Sequence, residues 1–223
     1  IVFLSDNGAE AHDLDETWPE ELFPKIRATI DSSHDFSYEN MGKPNSYVLY
    51  GRGWGRASTP AYRLHKAFPT EGGMRVAAFV HFPGRVAAGH IDNRQYFVTD
   101  LAPTVLELAG VDAPQSYAGK PLKPISGVSL LNFWQNPALK LQSRVQVFEL
   151  FGKRMVKDYP WKMVHMPPPY GSNEWQLFNI QQDTSESIDF SLQHPEVVDR
   201  LEQHWRQYVN DNGVILPDWV SGY

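Results

Sequence analysis

The sequence predicts an α/β chain whose last third forms an antiparallel sheet with a helix, and three observations carry that prediction. A wholly apolar run opens the chain at residues 1–4 (IVFL), residues 99–110 read as a capped amphipathic helix, and four short apolar runs between turn residues precede a helical pattern starting at Pro195. With 223 residues, 42% hydrophobic and 21% charged, the chain falls well outside the composition of disorder and is long enough to bury a sizeable core.

The elements follow in order. Residues 1–4 are expected to form a buried strand of the kind found in parallel sheets. From Gly8 to about Ser46 periodicity is lost apart from one possible helical turn at 18–24; a loop of that length inside a domain is usually functional or disordered. Residues 46–50 (SYVLY) suggest a strand, and the glycines of 51–55 break regularity. Thr70-Glu71-Gly72-Gly73 reads as a turn, and 76–82 (VAAFVHF) as a buried strand closed by Pro83-Gly84.

The helix at 99–110 has a Thr/Asp start, Pro103 in its first turn and Gly110 past its end, with an apolar face from residues 101, 105, 108 and 109. A Pro/Gly-rich crossing at 112–127 marks the expected boundary between two parts, 1–127 and 128–223. Strands are then expected at 145–151, 154–157, 161–166 and 175–180. The helix from Pro195 to near Gly213 carries apolar residues 198, 201, 205, 208 and 209, a stripe read as core packing.

Charge and composition exclude several function classes. A net charge of −6 with no long basic run argues against nucleic acid or an anionic membrane as the main partner. No stretch approaches the ~20 apolar residues of a membrane span. With no cysteine, the chain holds no disulfide, thiolate zinc site or cysteine nucleophile. Because residue 1 already reads as strand interior, the chain is expected to be the later part of a longer protein.

The chemistry-bearing candidates are few. Asp6-Asn7-Gly8 has two readings. Asn-Gly after an apolar run is a hairpin signal, though no alternating strand follows; alternatively a strand end delivers an Asp carboxylate and an Asn amide oxygen, hard donors suited to Ca²⁺ or Mg²⁺. Lys66 ahead of Glu71-Gly72-Gly73 is either a solvated surface charge or an ammonium placed to neutralise an anionic substrate oxygen. The eight histidines include no i,i+4 pair, which leaves a His-based zinc site without support; only His65 adjoins a candidate. The acidic run at 12–16 reads as a solvated loop before a cation site.

Taken together these stretches resemble the type I sulfatases, specifically bacterial arylsulfatases of the alkaline phosphatase superfamily. The resemblance is carried in order by FLSDNGAE (3–10), NSYVLYGRGWGRASTPAYRLHKAFPTEGGMRV (45–76), FPG (82–84), FVTDLAPTVLELAG (97–110), GKRMVKDYPWKMV (152–164), EWQLFNI (174–180) and HPEVVDRLEQHWRQYVNDNGV (194–214). It implies the C-terminal part of a mixed-sheet, alkaline-phosphatase-like sulfatase domain in residues 1–127, followed by a small antiparallel sheet-and-helix subdomain in 128–223. It implies that Asp6 and Asn7 ligate one Ca²⁺, that Lys66 holds a sulfate oxygen, and that the reaction is hydrolysis of a small-molecule sulfate ester.

In that family the nucleophile is a formylglycine made from a C/S-x-P-x-R motif preceding the SDNG strand. Residues 58–63 (STPAYR) imitate that motif with the Arg one position late, inside the lysine stretch, and are rejected as a nucleophile site. The fragment is therefore expected to be inactive alone and to need the N-terminal portion of the same protein. The alternatives are a phosphodiesterase or phosphonate hydrolase of the same superfamily and a non-catalytic sulfatase-like module.

Overall fold

The computed structural model describes residues 1–11 and 23–219. They fall into two compact units, one of residues 1–4 with 78–143, the other of residues 5–77 with 144–223. Each unit is thus discontinuous in sequence, whereas the division expected at 127 is a single cut along the chain.

The larger unit is organised by a four-stranded antiparallel meander, β5 (Gln146–Leu150), β6 (Lys153–Asp158), β7 (Trp161–His165) and β8 (Trp175–Asn179), in the spatial order 5-6-7-8. These four strands match the predicted ones to within one residue at each end. The β5–β6 turn places Phe151 at φ +54° and Gly152 at φ +80°, the paired positive-φ geometry of tight hairpins, which glycine adopts without strain. Side chains alternate across the pleat. On one face Val156, Met163 and Leu177 meet Leu201 and Trp205 of the C-terminal helix, α6 (Pro195–Asn212). On the other, Met155, Val164, Met166, Phe178 and Ile180 pack with Phe68. The sheet is therefore covered by α6 on one side and by the segment around Lys66 on the other.

Helix α6 starts with Pro195 in its first turn and ends at Gly213, φ +61°, as its sequence dictates. The same unit holds α1 (Phe23–Ser33), α2 (Gly51–Ser58) and the one-turn α3 (Glu71–Met74). Helix α1 falls where a loop was expected; Ile26 and Ile30 stand at i and i+4 on it, and the Arg27–Asp31 ion pair at i,i+4 spans its exposed side. The strand expected at 46–50 is absent, leaving only a bridge from Ser46 to Asp35. In place of irregular chain at 51–55 there is α2, despite three glycines. The reason is tertiary: a Cβ on Gly55 would lie 2.3 Å from that of Ala11, so glycine lets the helix lie against the 10–11 backbone and low helix propensity is overridden.

The smaller unit pairs β1 (Val2–Leu4) with β2 (Ala78–Val80), the first antiparallel to the second, with Phe3 opposite Phe79 and their rings stacked at 5.0 Å. The expectation of a buried parallel strand is corrected: Phe3 is 51% exposed. An apolar run states that a strand forms but not its direction or its neighbours. Helix α4 (Leu101–Ala109) follows a 3₁₀ turn and ends at Gly110, φ +66°. Buried Asp100 accepts hydrogen bonds from the amides of Phe97 and Val128, and the Thr104 hydroxyl accepts one from Leu130. The predicted apolar face is only partly covered, with Val105 61% exposed. A small hairpin, β3 (Ser116–Tyr117) with β4 (Lys120–Pro121), lies within the Pro/Gly-rich crossing, and α5 (Leu131–Gln135) follows it. Among the described residues no helix is long and apolar enough to cross a membrane.

Candidate functional site

Two loops of the larger unit carry the residues singled out from sequence: 5–11, directly after β1, and 63–74. Backbone bonds lace them together. The Gly8 amide donates to the Gly73 carbonyl at 2.9 Å, and the Lys66 amide to that of Ala9 at 3.0 Å. Residues 9–11, which follow Gly8 directly, form no strand, so Asp6-Asn7-Gly8 is not the tight turn of a hairpin. The glycines are required by contact distance. A Cβ on Gly8 would stand 1.9 Å from the Gly72 carbonyl oxygen, one on Gly72 2.1 Å from that of Leu64, and one on Gly73 2.1 Å from that of Phe68. Gly8 is required by the approach of the two loops, and Gly72 and Gly73 by the tight folding of the 63–74 loop on itself.

Interlocking of the loops brings their side chains together. Lys66 Nζ lies 2.7 Å from Glu10 Oε2, a pair linking the two motifs that the sequence did not disclose. The pair is open to solvent, so its own contribution to stability is small and its effect is to orient the ammonium. Asp6 is exposed, Asn7 is half-buried, and the Ser5 hydroxyl donates to the Asn7 carbonyl at 3.1 Å. His65 packs edge-on against Phe68 with ring centroids 5.1 Å apart. The acidic run at 12–16 lies outside the described residues.

Glu71 belongs to a different set of groups. It is buried and receives Lys157 Nζ at 2.8 Å and Lys162 Nζ at 3.0 Å, while Lys162 also reaches Glu186 Oε1 at 2.9 Å. The Glu71 amide donates to the other oxygen of Glu186 at 2.9 Å. Lys157 and Lys162 stand directly opposite each other across β6 and β7, a repulsive pairing that Glu71 neutralises by accepting from both. Burial pushes the Glu71 carboxyl up, but the two ammonium groups outweigh it and hold it at about 2. Asp183 folds the 183–188 turn that presents Glu186, accepting bonds from Ser185, Ser187 and Ile188. Glu71 thus anchors the lysine loop to the sheet.

In the chemistry of their donors, Asp6 and Asn7 suit a hard cation, both offering oxygen. Among the described residues no group of three or more His, Cys, Asp or Glu comes together to hold a metal. Two oxygen donors are far short of the six to eight that Ca²⁺ takes; they fit the ion only as part of its shell.

Residues 62–211 match the family described as N-sulphoglucosamine sulphohydrolase, C-terminal. An uncharacterized sulfatase of Schizosaccharomyces pombe is 31% identical over 98% of this chain and 39% of its own length, and an arylsulfatase of Klebsiella aerogenes is 37% identical over 58% of this chain and 27% of its own. Among solved structures, that of Ps i-CgsB in complex with k-i-k-neocarrahexaose superposes with a TM-score of 0.59 at 20% identity, covering 99% of this chain and 38% of that one. The chain spans about two-fifths or less of the length of these relatives. The chain shares the fold of this neighbour, and it belongs to the sulfatases, in the family described as N-sulphoglucosamine sulphohydrolase, C-terminal.

Proposed function

We propose that this chain is the C-terminal portion of an arylsulfatase that hydrolyses a sulfate ester to an alcohol or phenol and sulfate. Residues 1–127 would belong to its catalytic α/β domain and 128–223 to its small subdomain. The observation that supports this reading best is the lacing of the 5–11 loop to the 63–74 loop, which joins the two oxygen donors and the lysine through backbone bonds and glycine contacts.

In this reading Asp6 and Asn7 supply two oxygen ligands to a Ca²⁺ whose other ligands come from the N-terminal portion of the protein. When bound, the calcium supplies Lewis-acid polarisation of a sulfate oxygen, and a formylglycine outside this chain supplies the nucleophile. The residues of this chain bind and orient. The Lys66 ammonium holds a sulfate oxygen and takes up the negative charge that grows there as the ester bond breaks. Glu10, 2.7 Å from that ammonium, keeps it aimed between substrate visits and gives way to the incoming sulfate.

The test is turnover of an aryl sulfate ester by the chain alone, by the chain with its N-terminal portion, and by the Lys66→Ala variant of the reunited protein. The reunited protein should turn over, the isolated chain should not, and Lys66→Ala should lose about 100-fold or more in kcat/KM. Turnover by the chain alone, or an unaffected Lys66→Ala variant, overturns the assignment.

A further inference from the structure

The sheet face that meets the 63–74 loop presents three lysines, Lys153, Lys157 and Lys162, and among the described residues only the last two meet a carboxylate. Lys153 is 1% exposed. Its ammonium lies 3.3 Å from the Ala67 carbonyl oxygen, 4.5 Å above the centre of the Phe68 ring and 5.9 Å from that of Phe151. Among the described residues no carboxylate pairs with it, and burial pushes its ammonium down to about 8. A methionine there would fill similar space without the cost of burying a charge, so packing does not account for the lysine.

What the lysine reaches is informative. Ala67 directly follows Lys66 and has φ +71°; Leu64, two residues before Lys66, has φ +56°. Residues with a Cβ avoid this left-handed region unless their surroundings hold them there. Lys66 therefore stands in a stretch with a left-handed residue on either side, and its own amide is spent on the Ala9 carbonyl. A charge-assisted bond to the Ala67 carbonyl, with two aromatic faces turned to the same ammonium, suits the task of fixing that turn.

We propose that Lys153 is a positioning residue for Lys66: its buried ammonium clamps the Ala67 carbonyl, holds the left-handed turn there, and so sets the direction in which Lys66 leaves the loop toward Glu10 and an incoming sulfate oxygen. This rests on the reading of Lys66 as the sulfate-holding lysine.

The experiment is a double-mutant cycle in the full-length protein with an aryl sulfate ester, using Lys66→Ala, Lys153→Met and the two combined. Lys153→Met should lower kcat/KM about tenfold, and in the Lys66→Ala background it should change kcat/KM by less than about twofold, because its effect passes through the lysine already removed. Ala67→Gly supplies a second arm, since glycine adopts φ +71° without the clamp; added to Lys153→Met it should recover most of the loss, also where Lys153→Met alone folds poorly. A readout free of catalysis is amide hydrogen exchange, which Lys153→Met should speed at Lys66 and Phe68. Losses that multiply in the double variant, no recovery with Ala67→Gly, or unchanged exchange overturn the proposal. A Lys66→Ala variant with full activity overturns instead the reading on which it rests.

Discussion

The two compact units have similar apolar patterning and close it to very different degrees. In the larger one, the β5–β8 sheet is covered on both faces, and Met155, Val156, Met163, Val164, Leu177 and Leu201 have no measurable exposure. In the smaller one, among the described residues β1 and β2 pair only with each other, and α4 leaves Val105 and Leu108 open, although helix and strands are patterned as amphipathic or apolar elements. An apolar stripe records that a face can be buried; whether it is buried depends on a second layer of structure. The candidate site draws on the closed unit, where the sheet supplies the rigid support that the lysine loop rests on.

The strongest way to break this contrast is to remove the central charge of the closed unit. Lys162→Met leaves Glu186 without its ammonium and Glu71 with one of two, and should cost about 3–5 kcal/mol in urea denaturation; a loss under about 1 kcal/mol would mean that the buried ion network does not support the fold. Next in size is Leu201→Ala, which opens a cavity where α6 meets the sheet and should cost about 2–5 kcal/mol by the same measurement.

Acid should expose the network more gradually. The Glu71 carboxyl has its ordinary value of 4.5 in the unfolded chain and about 2 in the fold. Its depressed value means that it contributes stability above pH 4.5 and that this contribution fades as pH falls from there toward 2. Glu71→Gln should flatten that part of an acid-stability curve measured by circular dichroism; an unchanged slope would assign the acid loss to other groups. The smallest effect belongs to the open unit, where Val105→Ser on α4 should shift stability by no more than about 0.5 kcal/mol. A larger loss would show that the α4 face is covered.

How far the sequence could be read follows the same division. Strands β5–β8 and helix α6 were legible because each is patterned and bounded by its own punctuating residues: Phe151-Gly152 in a paired positive-φ turn, Pro195 at a helix start, Gly213 at its end. Helix α2 was not, because three glycines in eight residues argue against helix and only the contact with Ala11 explains them. The partners of Lys66 were equally hidden. Glu10 lies 56 residues from it in sequence, and the ammonium under its loop belongs to Lys153, 86 residues beyond Ala67.

By itself, then, the sequence determined the family of this chain, the order of strands β5–β8 and helix α6, and which residues are candidates for its chemistry, since periodicity, caps and motif order are local properties of the chain. Only the tertiary structure decided which faces are closed, that β1 pairs antiparallel, that the glycines of DNG and EGG are there for contact, and which charges stand beside Lys66. Those depend on distances between segments far apart in sequence, where a missing Cβ or a buried ammonium acquires its meaning only from the group placed against it.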